Sequence, residues 1–312
     1  MKKISGIAEK LKENIEKVIV GKSDEIELVI LSLLCGGHIL LEDVPGTGKT
    51  TLARAIAKSI ELDYKRIQFT PDLLPMDLTG VNYYNQKQQE FIFRNGPVFT
   101  NILLADEINR ATPRTQSSLL ESMQEGQVSI DGVTHCLDKP FIVIATQNPI
   151  ETQGTFPLPE AQLDRFFIML SLGYPHTNDE KDLLSRVEGA HPIDSISSVI
   201  SKAELLDAQA QVKTVKVSDA IRQYIVDIVS ATREHSGIRL GASPRGSIAL
   251  MQAAQGFAAI NGREFVLPDD VKKMSRHILA HRIICSGFSS SREKKTSVDI
   301  IADILDTVPA PI

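Results

Sequence analysis

Gly46, Gly48, Lys49 and Thr50 fall within HILLEDVPGTGKTT, His38 to Thr51, behind the apolar run Ile39–Leu41 and ahead of a helical run that begins at Leu52. A glycine-rich loop between a strand and a helix turns successive backbone N–H groups inward, and the helix adds the positive end of its dipole. Phosphate is the natural guest of such a nest. The two glycines let the backbone approach phosphate oxygens, Lys49 can reach the β and γ oxygens, and the Thr50 hydroxyl can ligate Mg²⁺. Pro45, Thr47 and Thr51 complete the loop and are expected contacts of the nucleotide. One position departs from the G-x-x-x-x-G-K-[ST] pattern, which asks for glycine at 43, where Asp43 stands.

Holding a triphosphate is not hydrolysing it, and a second pair of residues supplies the missing chemistry. Ile102-Leu-Leu-Ala-Asp106 is a continuous apolar run ending in acid, the pattern of a buried parallel strand, and Glu107 follows directly. Asp106 can hold Mg²⁺ through its water shell while Glu107 orients and deprotonates an attacking water.

These residues need a scaffold, and the spacing of apolar positions predicts one. Ile4, Ile7, Leu11, Ile15 and Val18 mark an amphipathic helix over about 3–18, and a second helix runs from Ser23, read as its N-cap, to Leu34 before Gly36 and Gly37. After the phosphate loop come a helix to about Ser59, a strand at Tyr64–Phe69 and a proline-punctuated loop, TPDLLPMDLTG. Two hairpins are expected: 81–93 with the polar tip NQKQQE, and 127–137 turning at Asp131-Gly132. Between them lies a helix over 113–125, and after them a strand at Phe141–Thr146, a short helix near 160–165 and a strand at Phe166–Leu170. Past Gly173, Pro175 and Asn178 strand signals nearly vanish, and helices are predicted near 179–189, 201–212, 218–236, 243–260, 268–281 and 297–307. The expected architecture is therefore an α/β nucleotide-binding domain over 1–175, with a parallel sheet flanked by helices, and a smaller all-helical lid domain over 176–312.

A length of 312 residues suits about two domains, and a formal charge of -5 gives no general attraction to nucleic acid or anionic lipid. Cys35, Cys136 and Cys285 are too dispersed for a disulfide framework or a zinc site. The charged N-terminus lacks the apolar run of a secretion signal, and Leu28–Leu41 is too short and too interrupted to span a bilayer, so a cytoplasmic protein without membrane insertion is expected.

Taken together, LLEDVPGTGKTTLARA, RIQFTPDLLPMDLTG, FRNGPVFTNILLADEINRATPRTQSSLLESMQEGQV, ATQNPIETQGTFPLPEAQLDRF and GASPRGSIAL closely resemble the MoxR family of AAA+ ATPases, over nearly the whole chain. The resemblance implies an ATP- and Mg²⁺-dependent ATPase, assembled as a ring, read as a hexamer, with a chaperone-like role in remodelling or maturing other proteins. It implies Asn148 as the sensor-1 residue and Arg245 as the sensor-2 arginine that reaches the phosphates from the lid. Arg165 corresponds to the arginine finger that acts in trans on a neighbour's nucleotide, and Val20 and Gly21 to the segment whose backbone meets adenine. The hairpins correspond to the helix-2 insert and the pre-sensor-1 hairpin. A client protein and a partner carrying a von Willebrand factor A domain are also implied.

Two other readings use the same motifs: a nucleic-acid-dependent motor, and a nucleotide-gated regulatory subunit of metal-chelatase type. Against the motor, the tips NQKQQE and SIDGVTH offer one lysine and no arginine. His277 and His281 share a helix spacing used for metals, but HILAH lacks the glutamate of a zinc protease and reads as a lid surface or core pair. Lys2, Lys3 and the run 292–295 read as solvated charge.

Overall fold

The structure, a computed structural model, describes residues 1–44, 46–149, 154–175, 177–187, 192–286 and 296–311. Two helices open the chain, α1 (Lys2–Glu16) and α2 (Ser23–Cys35), followed by β1 (Ile39–Glu42), α3 (Lys49–Ile60) and β2 (Tyr64–Gln68). Next come α4 (Pro75–Thr79), the hairpin β3 (Gly80–Asn85) and β4 (Glu90–Asn95), then β5 (Ile102–Asp106) and α5 (Pro113–Glu125). A second hairpin, β6 (Gln127–Ile130) and β7 (Val133–Cys136), precedes β8 (Ile142–Gln147), α6 (Glu160–Leu163) and β9 (Ile168–Leu170). The remainder holds α7 (Thr177–Val187), α8 (Lys202–Val212), α9 (Asp219–Glu234), β10 (Ile238–Leu240), α10 (Pro244–Ile260), α11 (Pro268–Leu279), β11 (Ile284–Cys285) and α12 (Ser297–Thr307).

Five strands form one sheet in the order β2-β5-β8-β1-β9, every pair parallel. The period-2 alternation of a strand divides its residues between two apolar layers. Ile39, Leu41, Ile102, Leu104, Ile142 and Ile144 face the core shared with α1, α2 and α3, whereas Leu40, Leu103, Ala105, Val143 and Ala145 face the core under α5. Burial on both faces is what makes these strands read as unbroken apolar runs.

The amphipathic face of α1, with Ile4, Ile7, Leu11 and Ile15, is buried, and α1 packs on α2, α3 and α10. Ser201, Ser218, Ser243 and Thr296 each cap the helix that follows by accepting an N–H of its first turn, which is why α8, α9, α10 and α12 begin where they do. The C-terminal helices share one apolar cluster with α1 and α2. Close approach of α10 to α2 depends on Gly256, where a Cβ would stand 2.6 Å from Cys35 Sγ.

Three local expectations are corrected. The proline-punctuated loop holds α4, because Pro75 occupies the first helical position and the Asp77 carboxylate accepts the N–H of Leu74 at 2.8 Å. Ser23 is the first residue of α2 rather than its cap, which is Lys22 and makes no side-chain bond. Among the described residues the C-terminal part is helical with a two-stranded antiparallel ribbon, β10 with β11, whose members are too short to register as period-2 patterns. The hairpins match expectation: Asp131 and Gly132 both have positive φ, as their turn requires. The hairpins also meet each other, through the stacked rings of Phe93 and His135 at 4.1 Å and a 2.8 Å bond from Asn82 Nδ2 to Asp131.

His38 pins the end of α5 to the start of β8. The Val143 N–H donates to its Nδ1 at 3.0 Å, so the proton sits on Nε2 and is donated to the Met123 carbonyl at 3.0 Å. Burial pushes its pKa from 6.5 down to about 4, against an opposing pull from the Met123 carbonyl. The folded value lies below the unfolded one, so His38 favours the fold above pH 6.5 and that contribution is lost as pH falls toward 4. A displacement of that size corresponds to a loss of up to about 3 kcal/mol. Urea unfolding from pH 7 to 4.5 should show a steeper loss of stability in the wild type than in His38→Gln; parallel profiles would mean that another group titrates.

Candidate functional site

At the carboxyl ends of β1, β5 and β8 lies a cavity of about 380 Å³ lined by Gly46, Gly48, Lys49, Thr50, Thr51, Arg66, Asp106, Glu107 and Asn148. Parallel pairing brings these residues together: β5 lies between β2 and β8, and β8 lies beside β1, so segments separated by about a hundred residues end at one edge. Pro45 lies outside the described residues. Gly46 and Gly48 have φ of 86° and 89°, a region that other residues adopt at a cost, and no side chain caps the first turn of α3. Its amide groups are left to a ligand. Thr47 Oγ donates to the Val44 carbonyl at 3.3 Å, bracing the loop. The Lys49 ammonium curls back on the carbonyls of Asp43 and Val44, at 2.8 and 3.2 Å.

The unexpected Asp43 has a structural account. Its carboxylate is buried and accepts the N–H of Leu172 at 2.5 Å, the N–H of Gly173 at 3.1 Å and the Ser171 hydroxyl at 3.3 Å. A glycine there could not tie the beginning of the phosphate loop to the segment leaving β9. Buried carboxylates persist when several donors replace their water, and this one has them.

Opposite the loop, a single buried hydroxyl orders both acids. Thr146 Oγ donates to Asp106 Oδ1 at 2.6 Å and accepts the Glu107 N–H at 2.8 Å. Glu107 sits at φ 56° and ψ 51°, a left-handed conformation uncommon for a residue with a side chain. Its carboxylate accepts from Gln68 Nε2 at 2.8 Å and pairs with Arg110 Nε at 3.0 Å. Asp106 Oδ2 is held by Arg66. Thr50 and Asp106 are hard oxygen donors lining the same cavity, a set that fits Mg²⁺. No group of three His, Cys, Asp or Glu able to hold a metal occurs among the described residues, so such an ion would take its remaining ligands from water and phosphate.

Four positions at the acids escaped the sequence reading: Arg66, Gln68, Arg110 and Thr146. The available signal was weak. Arg66 and Gln68 are two apart on a strand beside the acid-ending strand, with Gln68 in register with Asp106.

The remaining expected residues stand outside the cavity wall. Ile19, just before Val20 and Gly21, approaches Gly48, so that segment flanks the loop, and Gly21 is pressed against the Asp179 carboxylate, which leaves no room for a Cβ. Arg165 follows α6, and its guanidinium makes no hydrogen bond or ion pair with the described residues. Arg245 opens α10, its N–H bound to Ser243 Oγ at 3.1 Å. The segments that carry the two arginines share one anchor, because Ser243 Oγ donates to Asp164 at 2.8 Å and Asp164 also receives Arg282 Nε at 2.8 Å. Arg282 is buried and donates further to the Phe166 carbonyl at 2.6 Å and to His281 Nε2 at 2.7 Å. Burial pushes its pKa down to about 10, resisted by Asp164. His281 is thereby a core residue, and His277 is partly buried. The run 292–295 lies outside the described residues.

A model of the ATPase family associated with various cellular activities (AAA) matches residues 38–168, and one of the AAA lid domain matches 230–304. The chain is 51% identical to the uncharacterized protein YeaC of Bacillus subtilis, covering 96% of this chain and 93% of that protein. It is 40% identical to the chaperone MoxR1 of Mycobacterium tuberculosis, covering 95% and 80% respectively. A crystal structure of a Cytophaga hutchinsonii protein described as an ATPase superposes with a TM-score of 0.91 at 41% identity, covering 100% of this chain and 98% of that one.

Replacing Asp43 by glycine restores the consensus loop and removes the tie to β9. Hydrogen exchange at the amides of Leu172 and Gly173 should accelerate, with a stability loss of about 1–3 kcal/mol. Unchanged protection there would show that the carboxylate is not what holds them.

Proposed function

The chain belongs to the MoxR family of AAA+ ATPases, nucleotide-binding proteins that hydrolyse ATP, and on that premise we propose that it is an Mg²⁺-dependent ATPase whose site is completed by a neighbouring subunit in a ring, read as a hexamer. The observation that carries this reading is the facing of the Gly46–Thr51 loop by Asp106, Glu107 and Asn148 across one cavity. In the proposed cycle the loop amides and the α3 N-terminus receive the β and γ phosphates, and Lys49 leaves its loop carbonyls for their oxygens. Thr50 and Asp106 would hold Mg²⁺, which neutralises charge developing on the phosphates. Glu107, fixed by Gln68 and Arg110, takes the proton of the attacking water, and Asn148 orients that water and reads the γ-phosphate. Val20 and Gly21 contribute backbone to the adenine pocket.

Arg165 is the arginine finger in this reading. A partly exposed guanidinium with no partner among the described residues is what a group waiting for a neighbour's phosphate requires, since it is permanently ionised and suited to charge spread over equatorial oxygens. Arg245 acts as sensor 2 from the helical lid, with the division between nucleotide-binding and lid domains at residues 175 and 176. Hydrolysis would drive chaperone-like remodelling of a client protein, as the name of the Mycobacterium tuberculosis relative suggests, and a von Willebrand factor A domain protein is the proposed partner. No helix among the described residues is long and apolar enough to cross a membrane, which accords with a proposed cytoplasmic location.

Steady-state ATPase activity per subunit should rise with protein concentration. Arg165→Ala should bind ATP yet lose about a thousandfold in turnover, and Glu107→Gln should bind without turnover. Concentration-independent activity in a demonstrated monomer, with Arg165→Ala unaffected, would reject the shared site.

A further inference from the structure

Arg66 reaches from β2 to the metal-side acid of the cavity. Its Nε and Nη2 both donate to a single oxygen, Asp106 Oδ2, at 3.1 and 2.7 Å, and Nη2 also meets Gln68 Oε1 at 3.1 Å. The other carboxylate oxygen, Oδ1, is taken by Thr146. The two partners differ in freedom: the Asp106 side chain is 12% exposed and anchored, whereas that of Arg66 is 48% exposed. Doubling on one oxygen leaves the guanidinium fork unmatched, and an ion pair open to water on one side is held weakly.

We propose that Arg66 is an exchangeable counter-ion of the nucleotide site. It neutralises Asp106 when no nucleotide is bound and transfers its guanidinium to phosphate oxygens when Mg²⁺ and ATP arrive. The proposal rests on the nucleotide-site reading above. Oδ2 cannot serve a guanidinium and the water shell of a divalent cation together, because the two positive charges would compete for one oxygen in a partly desolvated site. Arg66 already lines the same cavity as Lys49 and the loop glycines, so a phosphate bound there would offer its guanidinium an alternative anion. The exchange keeps the charge of the site nearly balanced in both states, and it makes Mg²⁺ and nucleotide favour one another's binding, because each engages one half of the Arg66–Asp106 pair and frees the other half.

The test uses the full-length chain and a fluorescent ATP analogue, titrated first in EDTA and then with increasing Mg²⁺, for the wild type, Arg66→Gln, Arg66→Lys and Lys49→Ala. Arg66→Gln should weaken metal-free binding about tenfold, the loss of one charge-assisted contact, and should lower the Mg²⁺ concentration of half effect severalfold. Arg66→Lys should lie between it and the wild type, and the thermal midpoint of Arg66→Gln should stay near the wild-type value. An unchanged value of either binding parameter in a folded Arg66→Gln overturns the proposal. Loss of binding in Lys49→Ala together with wild-type behaviour in Arg66→Gln overturns the role of Arg66 alone, whereas a wild-type chain that binds no analogue overturns the nucleotide-site reading with it.

Discussion

Parallel pairing across β5, β8 and β1 is the constraint from which the rest of the molecule follows. Parallel strands can lie side by side only if their connections return over the sheet, and this obliges the segments after Glu42, Asp106 and Gln147 to emerge at a single edge. The phosphate loop, both acids and Asn148 sit on that edge. The two apolar layers to either side hold the strand ends in fixed register, so residues with no local reason to meet do so at hydrogen-bond distance.

The polar groups at the edge are then forced to find partners, and each solution links two elements. Thr146 joins the end of β8 to both acids at the end of β5. Asp43 joins the beginning of the phosphate loop to the chain leaving β9, which leads on to the C-terminal helices. His38 performs the corresponding task at the opposite end of the strands, joining α5 to β8 through one defined tautomer. Satisfaction of buried donors and acceptors thus does more than avoid a desolvation cost, since it transmits position from one strand end to the next.

Away from the cavity, Asp164 gathers Arg282 and Ser243, so that the stretch carrying Arg165 and the helix carrying Arg245 share one anchor. Arg282 is almost wholly buried, and breaking such a pair from one side leaves a charge without compensation. The consequence is geometric: the backbone after α6 and the start of α10 are tied to one another through Asp164.

The sheet-and-helix architecture, the phosphate loop, the two acids, both hairpins and most helix boundaries were legible in the sequence, because each is a local pattern: glycine spacing, an apolar run ending in acid, an Asp-Gly turn, period-3.6 burial. Asp43 was visible as a departure but had no local explanation, since its donors at 171–173 lie more than a hundred residues away. Arg66, Gln68, Arg110 and Thr146 could not be singled out for a related reason: their roles arise from strand register and cross-strand distance, not from spacing along the chain. From the sequence alone came the candidates for holding a nucleotide, Lys49, Thr50, Asp106 and Glu107, because their types and spacing are local. Only the tertiary structure decided which other groups hold those residues, because a hydrogen bond is specified by three-dimensional proximity and the chain carries that information only once the sheet has closed.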